Sequence, residues 1–219
     1  MSDPPAPPAP PRPKPLLRGW PHLAGTVALV AASPILFTRA RTDAQVGWIL
    51  SYLLGVGSMM ATSTLYHRGS WSPEALRAWR RADFTAIFLA IAGSGVAVAG
   101  LTLHGAARVA LMAAVALGGL AALVVRRFTR HLPGWSTALS YLVAGWAAAF
   151  FTPQIARGGG VACALLVIAG GLAYSAGAVV YASRRPRLSP RVFGFHELFH
   201  VCTLLGAGLH FAALAVALR

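Results

Sequence analysis

Seven apolar runs, each close to the ~20 residues that carry a helix across a bilayer, take up most of this 219-residue chain. They cover residues 20–37, 46–66, 84–103, 106–125, 135–151, 161–182 and 196–218. Pro34 lies near the end of the first, where a kink is expected, and Pro153 is expected to close the fifth. Only 11% of the residues are charged, against about a quarter in a soluble domain. That composition excludes a soluble globular fold. The expected fold class is all-α: one seven-helix transmembrane bundle over residues 19–219. Small residues four apart, such as Gly57 with Ala61 and Gly93 with Ala97, offer faces for close helix packing in lipid.

The first eighteen residues are proline-rich and lack the apolar core of a signal peptide. They read as a disordered, partly polyproline tail. Arginine and lysine then orient the bundle. Arg12, Lys14 and Arg18 lie in the tail, and Arg68, Arg77, Arg80 and Arg81 follow the second run. Arg126, Arg127 and Arg130 follow the fourth, and Arg184, Arg185, Arg187 and Arg191 follow the sixth. The opposite side holds Arg39, Arg41, Arg108, Arg157 and Arg219. Fourteen against five puts the N-terminus in the cytoplasm and the C-terminus outside.

A net charge of +14 raises the question of nucleic acid. The basic residues sit between apolar runs instead of forming one patch, so the expected partners are membrane lipids and not nucleic acid. Cys163 and Cys202 fall in separate apolar runs and read as small core fillers. A retinal protein is excluded, because the only lysine, Lys14, is in the tail.

The last run opens with Phe195-His196-Glu197-Leu198-Phe199-His200. On a helix, residues four apart lie about 40° apart around the axis and about 6 Å along it, so His196 and His200 can serve one metal. H-E-x-x-H is the zincin signature, yet the nineteen residues after His200 include no acid that could complete such a site. His210 is on the same face but about 15 Å further along. It is expected to be a hydrogen-bonded core histidine in preference to one that lines a cavity. The remaining ligands must come from upstream.

The topology brings the end of the second run, with Ser63 and His67, and the start of the third, with Asp83, to the depth of His196. Polar groups at such positions are costly and mark function. Three imidazoles with a nearby carboxylate match a catalytic Zn2+ site with an open position. His67, His196 and His200 are the expected ligands. Asp83 is expected to orient and deprotonate water there. Ser63, one turn before His67, suits a supporting or oxyanion-side hydrogen bond. Glu197 is rotated about 100° from His196; three roles are open to it, a general base as in zincins, a supporting partner of the site, or a salt-bridge partner of Arg191 or Arg81, and the supporting role is favoured. His22, His104 and His131 are assigned no role.

Ser63-x-x-x-His67, Asp83 and His196-x-x-x-His200, within the stretches STLYH and GFHELFH, resemble the hemolysin III family. This is the bacterial branch of the progestin and adiponectin receptor superfamily, and the similarity spans the whole seven-helix region. It implies a seven-helix bundle with a cytoplasmic N-terminus, zinc on the three histidines and the aspartate near the zinc-bound water. Relatives are linked to alkaline ceramidases in a proposed superfamily of membrane hydrolases. Bacterial members take their name from cytolytic activity, and some are tied to membrane lipid homeostasis. Three functions follow as expectations. The first is a zinc-dependent hydrolase of lipid amides or esters. The second is a receptor-like regulator of membrane state with structural zinc, and the third a cytolytic pore.

Overall fold

The computed structural model describes residues 14–128, 134–189 and 191–219. Among these residues every regular element is a helix, and one isolated bridge joins Ser189 to Phe193. In order the helices are α1 (Trp20–Phe37), α2 (Asp43–Arg68), α3 (Pro73–Thr102), α4 (Gly105–Phe128), α5 (Gly134–Gly145), a 3-10 segment (Trp146–Phe151), α6 (Thr152–Gly159), α7 (Val161–Ser183) and α8 (Phe195–Ala217). Six segments are long and apolar enough to cross a membrane, and a shorter apolar helix, Gly105–Ala121, makes a seventh. The protein is an all-α integral membrane protein of the expected class. Leucines and valines such as Leu54, Val109 and Leu165 face outward. In lipid that outward face costs nothing.

Two boundaries differ from the hydropathy reading. The third crossing is expected to open at Asp83, but α3 begins ten residues earlier. Ser72 caps it, accepting from the Ala75 amide at 3.2 Å, and Pro73 fills the first helical position with Glu74 beside it. Ser-Pro-Glu is a strong helix start; hydropathy misses it because the first ten residues include four charged ones, Glu74, Arg77, Arg80 and Arg81. Asp83 therefore sits inside the helix, nearly three turns from its start. The fifth crossing is also not closed by Pro153. Its backbone tightens into the 3-10 segment and Pro153 enters the first turn of α6, where a missing N–H costs nothing, so the crossing runs on to Gly159.

Close contacts fix the helices against one another. A Cβ on Gly93 would collide with the Ser51 carbonyl, and one on Gly55 with the Leu89 carbonyl, so α2 and α3 touch backbone to backbone. The Ser51 hydroxyl donates to the Gly93 carbonyl at 3.2 Å. Of the two small-residue faces expected to do this, Gly93 does; Gly57 meets only Leu29 at ordinary distance. The Tyr52 hydroxyl donates to the Ala207 carbonyl at 2.6 Å and joins α2 to α8. At the end of the bundle away from the histidines, Arg39 donates to the Ala215 carbonyl at 2.6 Å. That contact satisfies one of the carbonyls a helix C-terminus leaves open. Cys163 and Cys202 are both free thiols within helices. Of the tail, residues 1–13 lie outside the described residues, as does His131.

Candidate metal centre

The start of α1, the end of α2, the third turn of α3 and the start of α8 meet at one end of the bundle. His67 is in the last turn of α2, and α8 begins at Phe195, which puts His196 and His200 on successive turns of one face. The close α2–α3 contact fixes the height of α2. The Tyr52–Ala207 bond fixes its register against α8.

As a result the three imidazoles converge. One ligand nitrogen from each of His67, His196 and His200 lies within 4.8 Å of the others, and the Nε2 atoms of His67 and His196 are 3.1 Å apart. Three nitrogens bound tetrahedrally at 2.0–2.1 Å would stand about 3.4 Å from one another. The His67–His196 pair already has nearly that spacing and the third nitrogen lies within 4.8 Å of both, so the trio could hold a metal ion. Its donor set, all imidazole, suits a borderline cation such as zinc better than magnesium or calcium, which require oxygen. His200 is buried, while His67 and His196 are half-buried at the edge of a cavity.

That cavity has a volume of about 320 Å³. Asp83, Ser63 and His22 line its histidine end, and Ser94, Val98, Val167 and His210 line its depth, between α3, the fifth crossing, α7 and α8. Ser63 is buried one turn before His67. Thus all five residues expected at the site border one space, although Asp83 is not among the residues whose ligand atoms cluster. His210 both contacts the Val167 carbonyl through Nε2 at 3.2 Å and borders the cavity, which the core-histidine expectation had set as alternatives.

Glu197 takes a supporting role, with a partner other than the two expected. Its side chain is fully buried. One carboxylate oxygen accepts from the Gly194 amide at 2.7 Å, which caps α8, and the other pairs with Arg18. Neither Arg191 nor Arg81 is that partner. The carboxylate fixes the helix turn that carries His196 and His200, and both of its oxygens are engaged in that bracing.

Sequence reasoning passed over two residues here. His22 is buried, and its ring lies flat against that of His200, with centroids 3.9 Å apart and planes 7° from parallel. Parallel imidazoles at that spacing cannot direct in-plane lone pairs at one ion, so His22 braces His200 and cannot share an ion with it. Arg18 was read as the last residue of a disordered tail, but it reaches Glu197 and borders the cavity. The sequence carries no local signal for either contact. Both join residues more than 170 positions apart.

One comparison with known proteins bears on this arrangement. The family model described as haemolysin-III related matches residues 12–211, a stretch that includes Arg18, His22, Ser63, His67, Asp83, His196 and His200. The chain belongs to the haemolysin-III related family.

Proposed function

We propose that the protein is a zinc-dependent hydrolase of lipid amides or esters, acting at the cytoplasmic end of the bundle in a bacterial inner membrane and contributing to membrane lipid homeostasis. The observation that carries this reading is the continuity of the histidine trio with a deep, mostly apolar cavity. A site that only braced helices would have no need of an apolar space adjoining it. The histidine end is also the arginine-rich end, shared by the tail, the α2–α3 turn and the α7–α8 loop, as a cytoplasmic face requires.

His67, His196 and His200 would hold the ion as neutral imidazoles. When bound, zinc supplies Lewis acidity toward a carbonyl and makes water easier to deprotonate near neutral pH. The chain does the rest. The apolar walls contributed by α3, the fifth crossing and α7 take the acyl chain and orient the carbonyl toward the histidines. Asp83 accepts the proton of the attacking water and can return it to the leaving amine or alcohol. The Ser63 hydroxyl, buried beside His67, donates to the oxygen on which charge develops.

The deciding experiment uses purified protein with its zinc content measured. It is offered a panel of N-acyl and ester lipids, and released fatty acid is quantified beside the Asp83→Asn variant. Release by the wild type, lost in the variant at unchanged zinc content, supports the hydrolase. A zinc-loaded wild type that releases nothing from any member of the panel leaves the structural-zinc regulator as the better reading.

A further inference from the structure

The segment before α1 makes contacts that hydrolysis does not require. The Leu16 amide donates to the Arg191 carbonyl at 2.9 Å, and the Leu17 amide to the Val192 carbonyl at 3.1 Å, which ties the chain to the loop ahead of α8. Arg18 then pairs with buried Glu197, the residue following the ligand His196. Gly19 turns with φ of +82°, and a Cβ there would stand 2.9 Å from Arg68 Cγ and 3.1 Å from His67 Cβ. Only glycine tolerates both that backbone and that approach. Trp20 finally lies under the Arg68 guanidinium, 3.9 Å from charge centre to ring. Within five residues the segment is fastened to the α7–α8 loop, the first turn of α8 and the last turn of α2, and Arg18 forms part of the cavity wall beside the histidines.

We infer that residues 14–19 are a strap across the aqueous mouth of the metal centre and that Arg18, through Glu197, is the positioning residue that holds it closed. This rests on the reading of the histidine trio as a metal site, since it makes the strap the gate through which ion and water exchange. The physical argument is the asymmetry of the latch. Glu197 is fully buried and Arg18 only about one-fifth exposed. Lifting the strap would strip a buried carboxylate of its counter-charge, a costly change, while the remaining fastenings, two backbone bonds and the Arg68–Trp20 stack, are each worth much less. Closure therefore depends on one side chain.

Two readouts test this in a background with Cys163→Ala and Cys202→Ala. A reporter, Tyr66→Cys, sits in the cavity wall at the histidine end, and its labelling by a charged methanethiosulfonate measures the opening directly. Release of bound zinc to a chelator measures exchange. Arg18→Gln should speed both by at least about tenfold, as expected when a buried carboxylate loses its partner, and Arg18→Lys should restore most of the protection. Leu17→Pro removes the amide that holds Val192 without disturbing Glu197, and should speed labelling by a smaller factor. Equal labelling rates in the wild type, Arg18→Gln and Leu17→Pro would overturn the strap. If the wild type holds no zinc, the metal reading fails while labelling still decides the strap. If zinc is held and leaves at the same rate whatever stands at position 18, the strap fails and the metal reading survives.

Discussion

His22 lies face to face with His200, ring on ring at 3.9 Å, and the pair joins the first helix of the bundle to the last directly behind the candidate metal centre. The two rings are 178 positions apart in the chain, so the first crossing helps to hold a candidate ligand that the seventh supplies. Groups that fix a ligand's orientation change metal affinity by about 10–100-fold when removed. His22→Ala should lower zinc affinity within that range, measured by chelator competition. His22→Phe keeps a flat ring over His200 and should stay within a few-fold of the wild type. Equal loss in both variants would mean that the imidazole nitrogens, and not the stack, are what matter.

Removing a ligand should be more severe. His67→Ala, His196→Ala and His200→Ala should each cost more than the roughly 100-fold that marks the upper range for indirect supports, leaving substoichiometric zinc in the purified protein. His210→Ala is the control. It borders the same cavity, but at about 1.5 Å of rise per residue it lies some 15 Å along α8 from His200, and its zinc content should equal that of the wild type. A variant set in which all four lose zinc alike would point to general unfolding.

Asp83 and Ser63 should separate chemistry from binding. Asp83→Asn keeps the shape and loses the base, so lipid hydrolysis should fall by about 10²–10⁴-fold, the usual contribution of a positioned acid–base group, with zinc unchanged. Ser63→Ala should lower turnover less steeply, by about tenfold for one neutral hydrogen bond, with little change in KM. Loss of zinc from Asp83→Asn would instead make the aspartate part of the ion's own coordination.

The residues that proved legible in the sequence explain why others were not. Transmembrane spans are read by hydropathy because lipid imposes one rule on about twenty consecutive residues, and α1, α2, α7 and α8 fall where that rule puts them. His196 and His200 announce themselves by spacing, and His67 and Asp83 by depth once topology is fixed. The beginning of α3 was hidden because a polar amphipathic extension obeys capping chemistry and not hydropathy; Ser72-Pro73-Glu74 was its signal. The bend from α5 into α6 was hidden because Pro153 reads as a stop, and the same residue is also favourable at a new helix start. Arg18 and His22 were hidden for a different reason. Their partners, Glu197 and His200, are supplied by tertiary packing alone.

The α2–α3 contact gives a prediction about the frame of the site. Gly93 abuts the Ser51 carbonyl and Gly55 the Leu89 carbonyl, and neither obstacle is a side chain that can swing away. Gly93→Val must push the helices apart, at the cost of about 1–3 kcal/mol typical of overpacking. The displacement should be felt at His67, further along α2. Lower thermal stability in detergent together with weaker zinc binding is expected. Gly57→Ala, facing Leu29 at 3.6 Å, should alter neither.

The depth of the cavity gives the last prediction, which concerns chain length. Gly171 borders the cavity, and a Cβ on it would lie 3.6 Å from the Trp146 ring, in ordinary contact. Trp146 is itself held by its indole N–H donating to Ser175 at 2.9 Å, so the wall opposite the new side chain does not give way. Gly171→Leu would therefore fill part of the space and leave the histidines untouched. Each methylene that can no longer be buried forfeits about 0.8 kcal/mol, close to fourfold in affinity. Long acyl chains should lose kcat/KM progressively while chains short enough to end before Gly171 keep theirs, so a plot of rate against chain length should shift to shorter lipids at constant zinc content. A uniform drop across all lengths would show that the acyl chain leaves the histidines by some other path.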